Sequence, residues 1–206
     1  MNTRRMKWLV AFLAVCLIAP SLVYAGDESD PEIVDNSEED VLPFLDVTSA
    51  WFYETADEPD VLFVCLKMAE IDLTQLKQHL TVHWDCNGVG CAAMAAIGYG
   101  SDEVVQFAAG YGHGFWFQEH YQETMGTYDL ETGVIVMKIP KEIIQDPQPG
   151  DVLENTYALT FQRYGFIGKM GFDRAILSSI IYLLSGKNNA EFGPDDGYGR
   201  EYVIQY

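Results

Sequence analysis

Between Tyr111 and Phe117 the chain reads Tyr-Gly-His-Gly-Phe-Trp-Phe, rings alternating with glycine. If this stretch is extended, successive side chains leave on opposite faces. Val105, Phe107, Tyr111, His113, Phe115 and Phe117 then share one face, and Gln106, Ala108, Gly110, Gly112, Gly114 and Trp116 the other. The first face reads as core. The second is a glycine track ending in an indole, where a flat ligand or another backbone can come close. Sugars lay their C–H faces on aromatic rings, so Trp116 with Trp51 and Trp84 forms a candidate platform, Tyr111 and His113 beside it. The competing reading is that these tryptophans fill space around the small run Ala92–Ala96. The glycines do not make a nucleotide loop, because no helix opens after them.

Other chemistry is thinly represented. The histidines are His79, His83, His113 and His120, without HExxH or a tight ligand cluster, and a lone histidine on a packed strand is ordinarily a hydrogen-bonded structural residue. Haem would need histidine with methionine or lysine, for which Met94 or Met125 with His113 is the available pairing. Asp195-Asp196-Gly197 and the acidic turn Asp57-Glu58-Pro59-Asp60 offer oxygens to Ca²⁺, although neither has EF-hand spacing. No Gly-x-Ser-x-Gly elbow is present, and Cys65 has no locatable base, so nothing nominates an enzyme.

Cys86-Asn87-Gly88-Val89-Gly90-Cys91 reads as a hairpin around the strongest short-range turn dipeptide. A four-residue loop would put Cys86 opposite Cys91, within disulfide reach, whereas a two-residue Asn-Gly turn would set them diagonally and strain a bridge. A Cys86–Cys91 disulfide is expected on the exported address argued below.

These residues need strands to hold them. Phe44–Glu54 alternates, Val61–Met68 is apolar on both faces as a central strand would be, and Thr81–Cys86 with Cys91–Tyr99 forms the hairpin. A long strand or strand pair follows over 104–121. A second hairpin, His120–Tyr128 with Gly133–Ile139, turns at Asp129-Leu130-Glu131-Thr132, and Asn155–Tyr164 and Glu201–Tyr206 supply the last strands. Short helical turns are expected at Asp72–His79 and Pro140–Ile144. The one helix, near 173–185, has an apolar stripe of Ile176, Leu177, Ile180, Ile181 and Leu184. It is expected to lie as a lid over an open end of the sandwich. The pattern predicts a mostly β chain: an antiparallel β-sandwich, immunoglobulin-like or jelly-roll-like, with that single C-terminal-region helix.

The N-terminus gives the address. Arg4, Arg5 and Lys7 precede an apolar stretch from Trp8 to Ala19, Pro20 breaks it, and Val23-Tyr24-Ala25 carries small residues where a signal peptidase reads them. The apolar stretch is short for a membrane span, and Leu13-Ala14-Val15-Cys16 makes a poor lipobox because Val15 is too large. Residues 1–25 are thus expected to be a signal peptide, 26–42 an acidic disordered spacer, and 43–206 one domain, secreted or loosely associated with the envelope. Removing the leader takes away three basic residues and no acidic ones, moving the formal charge from −19 to −22. A surface so negative repels phosphate backbones and anionic headgroups, which excludes nucleic acid as partner and suits cations or neutral ligands.

Leu45-Asp46-Val47 with Ala50-Trp51-Phe52, Asp60-Val61-Leu62-Phe63-Val64, Val82-His83-Trp84 with Asn87-Gly88, and Ile139-Pro140-Lys141 leading to Pro149-Gly150-Asp151-Val152-Leu153 resemble the exported β-sandwich domains of the DOMON and family 9 carbohydrate-binding-module superfamily. The resemblance runs over residues 43–164, and the helix near 173–185 departs from it. It implies one of two activities: binding sugars, or binding haem for electron transfer. The expected function is a non-enzymatic extracellular module for carbohydrate or a cell-envelope glycan, with a haem-binding redox protein and a Ca²⁺-stabilised adhesion component as alternatives.

Overall fold

The computed structural model describes residues 26–35, 42–75, 77–98, 105–112, 120–162, 190–194 and 197–206. Its strands are β1 (Ile33–Val34), β2 (Val47–Thr55), β3 (Glu58–Met68), β4 (Gln78–Cys86), β5 (Val89–Ile97), β6 (Val105–Tyr111), β7 (Gln122–Glu123), β8 (Met125–Asp129), β9 (Val134–Pro140), β10 (Val152–Gln162), β11 (Ala190–Gly193) and β12 (Tyr202–Val203). One 3-10 turn, Lys141–Ile144, follows β9. The strands form two antiparallel sheets, β1-β2-β3-β9-β8 and β11-β10-β4-β5-β6-β7, with β12 paired to β10. The chain is therefore a β-sandwich.

Alternation along each strand builds the core between the sheets. Ala50 and Phe52 of β2, Leu62, Val64 and Leu66 of β3, and Ile135, Met137 and Ile139 of β9 face Leu80, Val82 and Trp84 of β4 and Ala93, Ala95 and Ile97 of β5. β3 lies between β2 and β9, which accounts for the double-sided apolarity of Val61–Met68. Asn87 and Gly88 both have positive φ, 52° and 76°, as a two-residue hairpin turn requires. Asp129 shapes the β8–β9 turn by accepting from the Glu131 amide at 2.8 Å. Among the described residues no helix is long and apolar enough to cross a membrane. The helix expected near 173–185 lies outside the described residues.

Three expectations are corrected. The tight turn pairs Cys86 with Val89 and Trp84 with Cys91, so the two cysteines sit diagonally and both are free and buried, as is Cys65. Burial pushes their thiols up, to about 11 for Cys86 and about 12 for Cys65 and Cys91. Where a helical turn is expected over Asp72–His79, Asp72 opens an Asx turn by accepting from the Thr74 amide at 2.9 Å, β4 already begins at Gln78, and Leu76 lies outside the described residues. Finally, part of the acidic segment 26–42 is folded. Ile33 is fully buried in the core, β1 pairs with β2 through Ile33↔Ala50, and Arg200 bonds the carbonyls of Asp30 and Pro31 at 2.8 and 2.9 Å. Sequence composition registers the acids here but not the single apolar residue that docks.

Candidate functional site

The period-two rule that sends Leu80, Val82, Trp84 and Cys86 into the core sends His79, Thr81, His83 and Asp85 of β4 outward. The register then lays out three rungs across the outer face of the larger sheet. Tyr157 of β10 stands opposite His83, which stands opposite Ala92 of β5 and then Gly110 of β6. The next rung is Leu159, Thr81, Met94 and Ala108. The third is Phe161, His79, Ala96 and Gln106.

The rungs are specific in geometry. His83 stacks on Tyr157 with centroids 4.6 Å apart and planes 2° from parallel, and His79 stacks on Phe161 at 4.6 Å and 6°. Between them the Thr81 hydroxyl donates to the Leu159 carbonyl at 2.7 Å. Its remaining capacity is as acceptor, so the 2.9 Å contact from His83 Nε2 places a proton on that nitrogen. His79 Nδ1 lies 3.0 Å from Met94 Sδ. Most of this face is buried, Leu159 completely.

The ladder becomes exposed at its Tyr157 end. Tyr157 packs at 6.2 Å against Tyr198, which is 50% exposed. A β-bulge between Glu154 and Tyr157 holds Asn155 at φ 51°, a conformation asparagine tolerates. Bulges re-aim side chains, and here the Asn155 amide donates to Asp85 at 2.8 Å. A pair of phenol rings thus adjoins a planar amide–carboxylate pair.

The residues singled out in the sequence are differently placed. Trp84 is 1% exposed and meets Phe52 edge-on at 5.4 Å and 80° in the core. Trp51, opposite Cys65 on β2, is 6% exposed. Neither offers a face to a sugar, which corrects their role as platform. Tyr111 packs partly against the core and stacks on His120 at 4.4 Å. His113, Trp116, Asp195 and Asp196 lie outside the described residues. The glycine track receives a backbone: a Cβ at Gly110 would overlap the His120 carbonyl oxygen and lie 3.0 Å from the Tyr121 Cα.

Among the described residues, no three His, Cys, Asp or Glu side chains gather as a metal site. Of the haem pairing expected from the sequence, His113 lies outside the described residues, and Met94 Sδ lies against His79 Nδ1.

Thr81, Asn155, Tyr157 and Tyr198 do not stand out as site residues in the sequence. The available signal is the alternation His79-x-Thr81-x-His83-x-Asp85, which is hidden when His79 is read as part of a helical turn. No family model, curated protein or solved structure matches the chain.

Proposed function

We propose that the protein is a non-catalytic, exported binding module that recognises a neutral glycan at the Tyr157–Tyr198 end of the larger sheet. The observation supporting this reading is the paired phenol rings beside the Asn155–Asp85 amide–carboxylate pair. Sugars are bound by that combination: ring faces for the C–H surface, and planar donors and acceptors for adjacent hydroxyls. The strong negative charge of the chain favours an uncharged ligand over a phosphorylated or sulfated one.

The test is retention of the purified full chain, and of Tyr198→Ala, on a broad panel of immobilised neutral polysaccharides. Removing a half-exposed stacking ring should weaken binding by about tenfold, the equivalent of about 1.4 kcal/mol, while leaving the melting temperature unchanged. Absence of retention across the panel, or equal retention by Tyr198→Ala, overturns the reading.

A further inference from the structure

Glu32 is a buried carboxylate at the entrance to β1, only 7% exposed. Its Oε2 accepts the Phe52 amide at 2.9 Å, taking the place of a further ladder bond between β1 and β2. Among the described residues no lysine or arginine forms an ion pair with it. Arg200, whose charge reaches Glu32, forms its ion pair with Asp30 at 2.7 Å. Burial raises Glu32 to about 7.

What lies against this carboxylate is Gly26. It too is buried, and a Cβ there would sit 2.7 Å from the Glu32 carboxyl carbon and overlap both oxygens. The Gly26 nitrogen is about 2.5 Å from that Cβ position by backbone geometry, which puts it within about 5 Å of the carboxylate. The fold around it is fixed: Asp27 accepts from the Ser29 amide at 2.7 Å, the Asp30 amide donates to the Asp27 carbonyl at 3.1 Å, and Arg200 ties down Asp30. Gly26 is also the residue that follows Val23-Tyr24-Ala25, the expected cleavage point.

We propose that cleavage of the Ala25–Gly26 bond completes the fold, because the new α-ammonium of Gly26 becomes the ionic partner of the buried Glu32 carboxylate. In the cleavage a signal peptidase adds water across the amide. The Ala25 acyl group leaves as carboxylate, and the Gly26 nitrogen takes the electron pair of the broken C–N bond and both protons of the water, the second by way of the new carboxylic acid. The charge that Glu32 lacks in the uncut chain is thereby generated beside it. A side chain at position 26 would push the Glu32 carboxylate out of its present place. This inference rests on reading residues 1–25 as an export leader.

The test starts from the full chain expressed in an export-competent host and recovered after export. Intact mass identifies the first residue, which must be Gly26; any other start overturns the inference at the level of the leader. The α-amine is then carbamylated with cyanate near pH 7, alongside a peptide of sequence Gly-Asp-Glu-Ser-Asp-Pro. Pairing that raises the amine pKa by about one unit cuts its reactive free-base fraction about tenfold, so the native protein should react about tenfold more slowly than the peptide. Glu32→Gln should restore the peptide rate. A chain that starts at Gly26 yet reacts as fast as the peptide, or a Glu32→Gln variant that reacts as slowly as the native protein, overturns the pairing and leaves the leader reading standing. If Glu32→Gln does not fold, the Gly26 amine is titrated by NMR in the native processed chain. A pKa above about 9 supports the ion pair and one near about 8, the ordinary α-amino value, overturns it.

Discussion

Replacing Lys141 by methionine should remove a large part of the stability of this sandwich. Lys141 opens the 3-10 turn and is 3% exposed. Its ammonium lies 2.5 Å from Glu54 Oε1 and also donates to the Tyr206 carbonyl. Glu54 accepts in addition from the Tyr202 hydroxyl at 3.2 Å and the Gln205 amide at 2.7 Å. One carboxylate therefore joins β2, the 3-10 turn, β12 and the last residues of the chain. Methionine keeps the length of the side chain but strands the carboxylate in the interior and removes the donor to Tyr206. Breaking a buried pair from one side costs about 3–5 kcal/mol. Two surviving donors to Glu54 place this case near the lower bound, about 3 kcal/mol. For a domain of this size each kcal/mol moves the midpoint by about 2–4 °C, so the melting temperature should fall by about 6–12 °C. Urea unfolding at pH 7 should give the same loss through the denaturation midpoint, with an unchanged slope. Glu54→Gln added to Lys141→Met removes the second charge while keeping an acceptor for Gln205, and should recover at least about half of the loss. A single variant within about 1 kcal/mol of wild type, or a double variant weaker than the single, would refute the role given to this pair.

Three further outcomes follow from particular residues. In the uncut chain, the raised Glu32 binds a proton more tightly folded than unfolded, so its contribution is full below about pH 4.5 and is lost as pH rises to about 7. With Phe52, Arg200 and Asp30 as its surroundings, the loss should be about 3 kcal/mol by linkage; comparison with Glu32→Gln isolates it, and parallel stability–pH curves would count against it. Gly110→Ala should cost about 1–3 kcal/mol, because the obstacle is the His120 carbonyl rather than a flexible side chain. Faster amide exchange at Gln122 and Glu123 would accompany it, and an unchanged melt would contradict the close approach. Cys65, Cys86 and Cys91 should resist iodoacetamide at pH 8 in the native protein and react once unfolded; an intact mass short of two hydrogens before reduction would instead reveal a disulfide.

The sheet pattern is legible where both strand and turn signals are local. Asn87-Gly88 marks a hairpin by its backbone freedom, and Asp129 to Gly133 marks another by a carboxylate that bonds the turn and a glycine at φ 72°. Val61–Met68 announces a central strand by being apolar on both faces. Pairings distant in sequence leave no such trace. Nothing in an acidic stretch tells that Ile33 will pair with Ala50, or that the Glu32 carboxylate will stand in for a ladder bond. The cysteines show how close the margin is, since two residues in the turn instead of four move Cys91 from opposite Cys86 to opposite Trp84.

The site is harder to read because it depends on strand parity rather than on residue type. Tryptophan is the residue most readily associated with sugar recognition, but Trp84 has the parity of Leu80 and Val82 and goes into the core with them. His79 and His83, on the same strand, have the opposite parity and reach the outer face. A strand started at Thr81 hides this pattern; one started at Gln78 exposes it, as polar or ionisable His79, Thr81, His83 and Asp85 alternating with apolar neighbours. Their partners on β10 are far away in sequence, 78 residues for the Thr81–Leu159 bond. Tyr157 and Phe161 therefore gain meaning only once the register places them against the two imidazoles. In such a sheet the informative unit is the rung, and a search for recognition surfaces should begin from polar residues that share parity on a central strand.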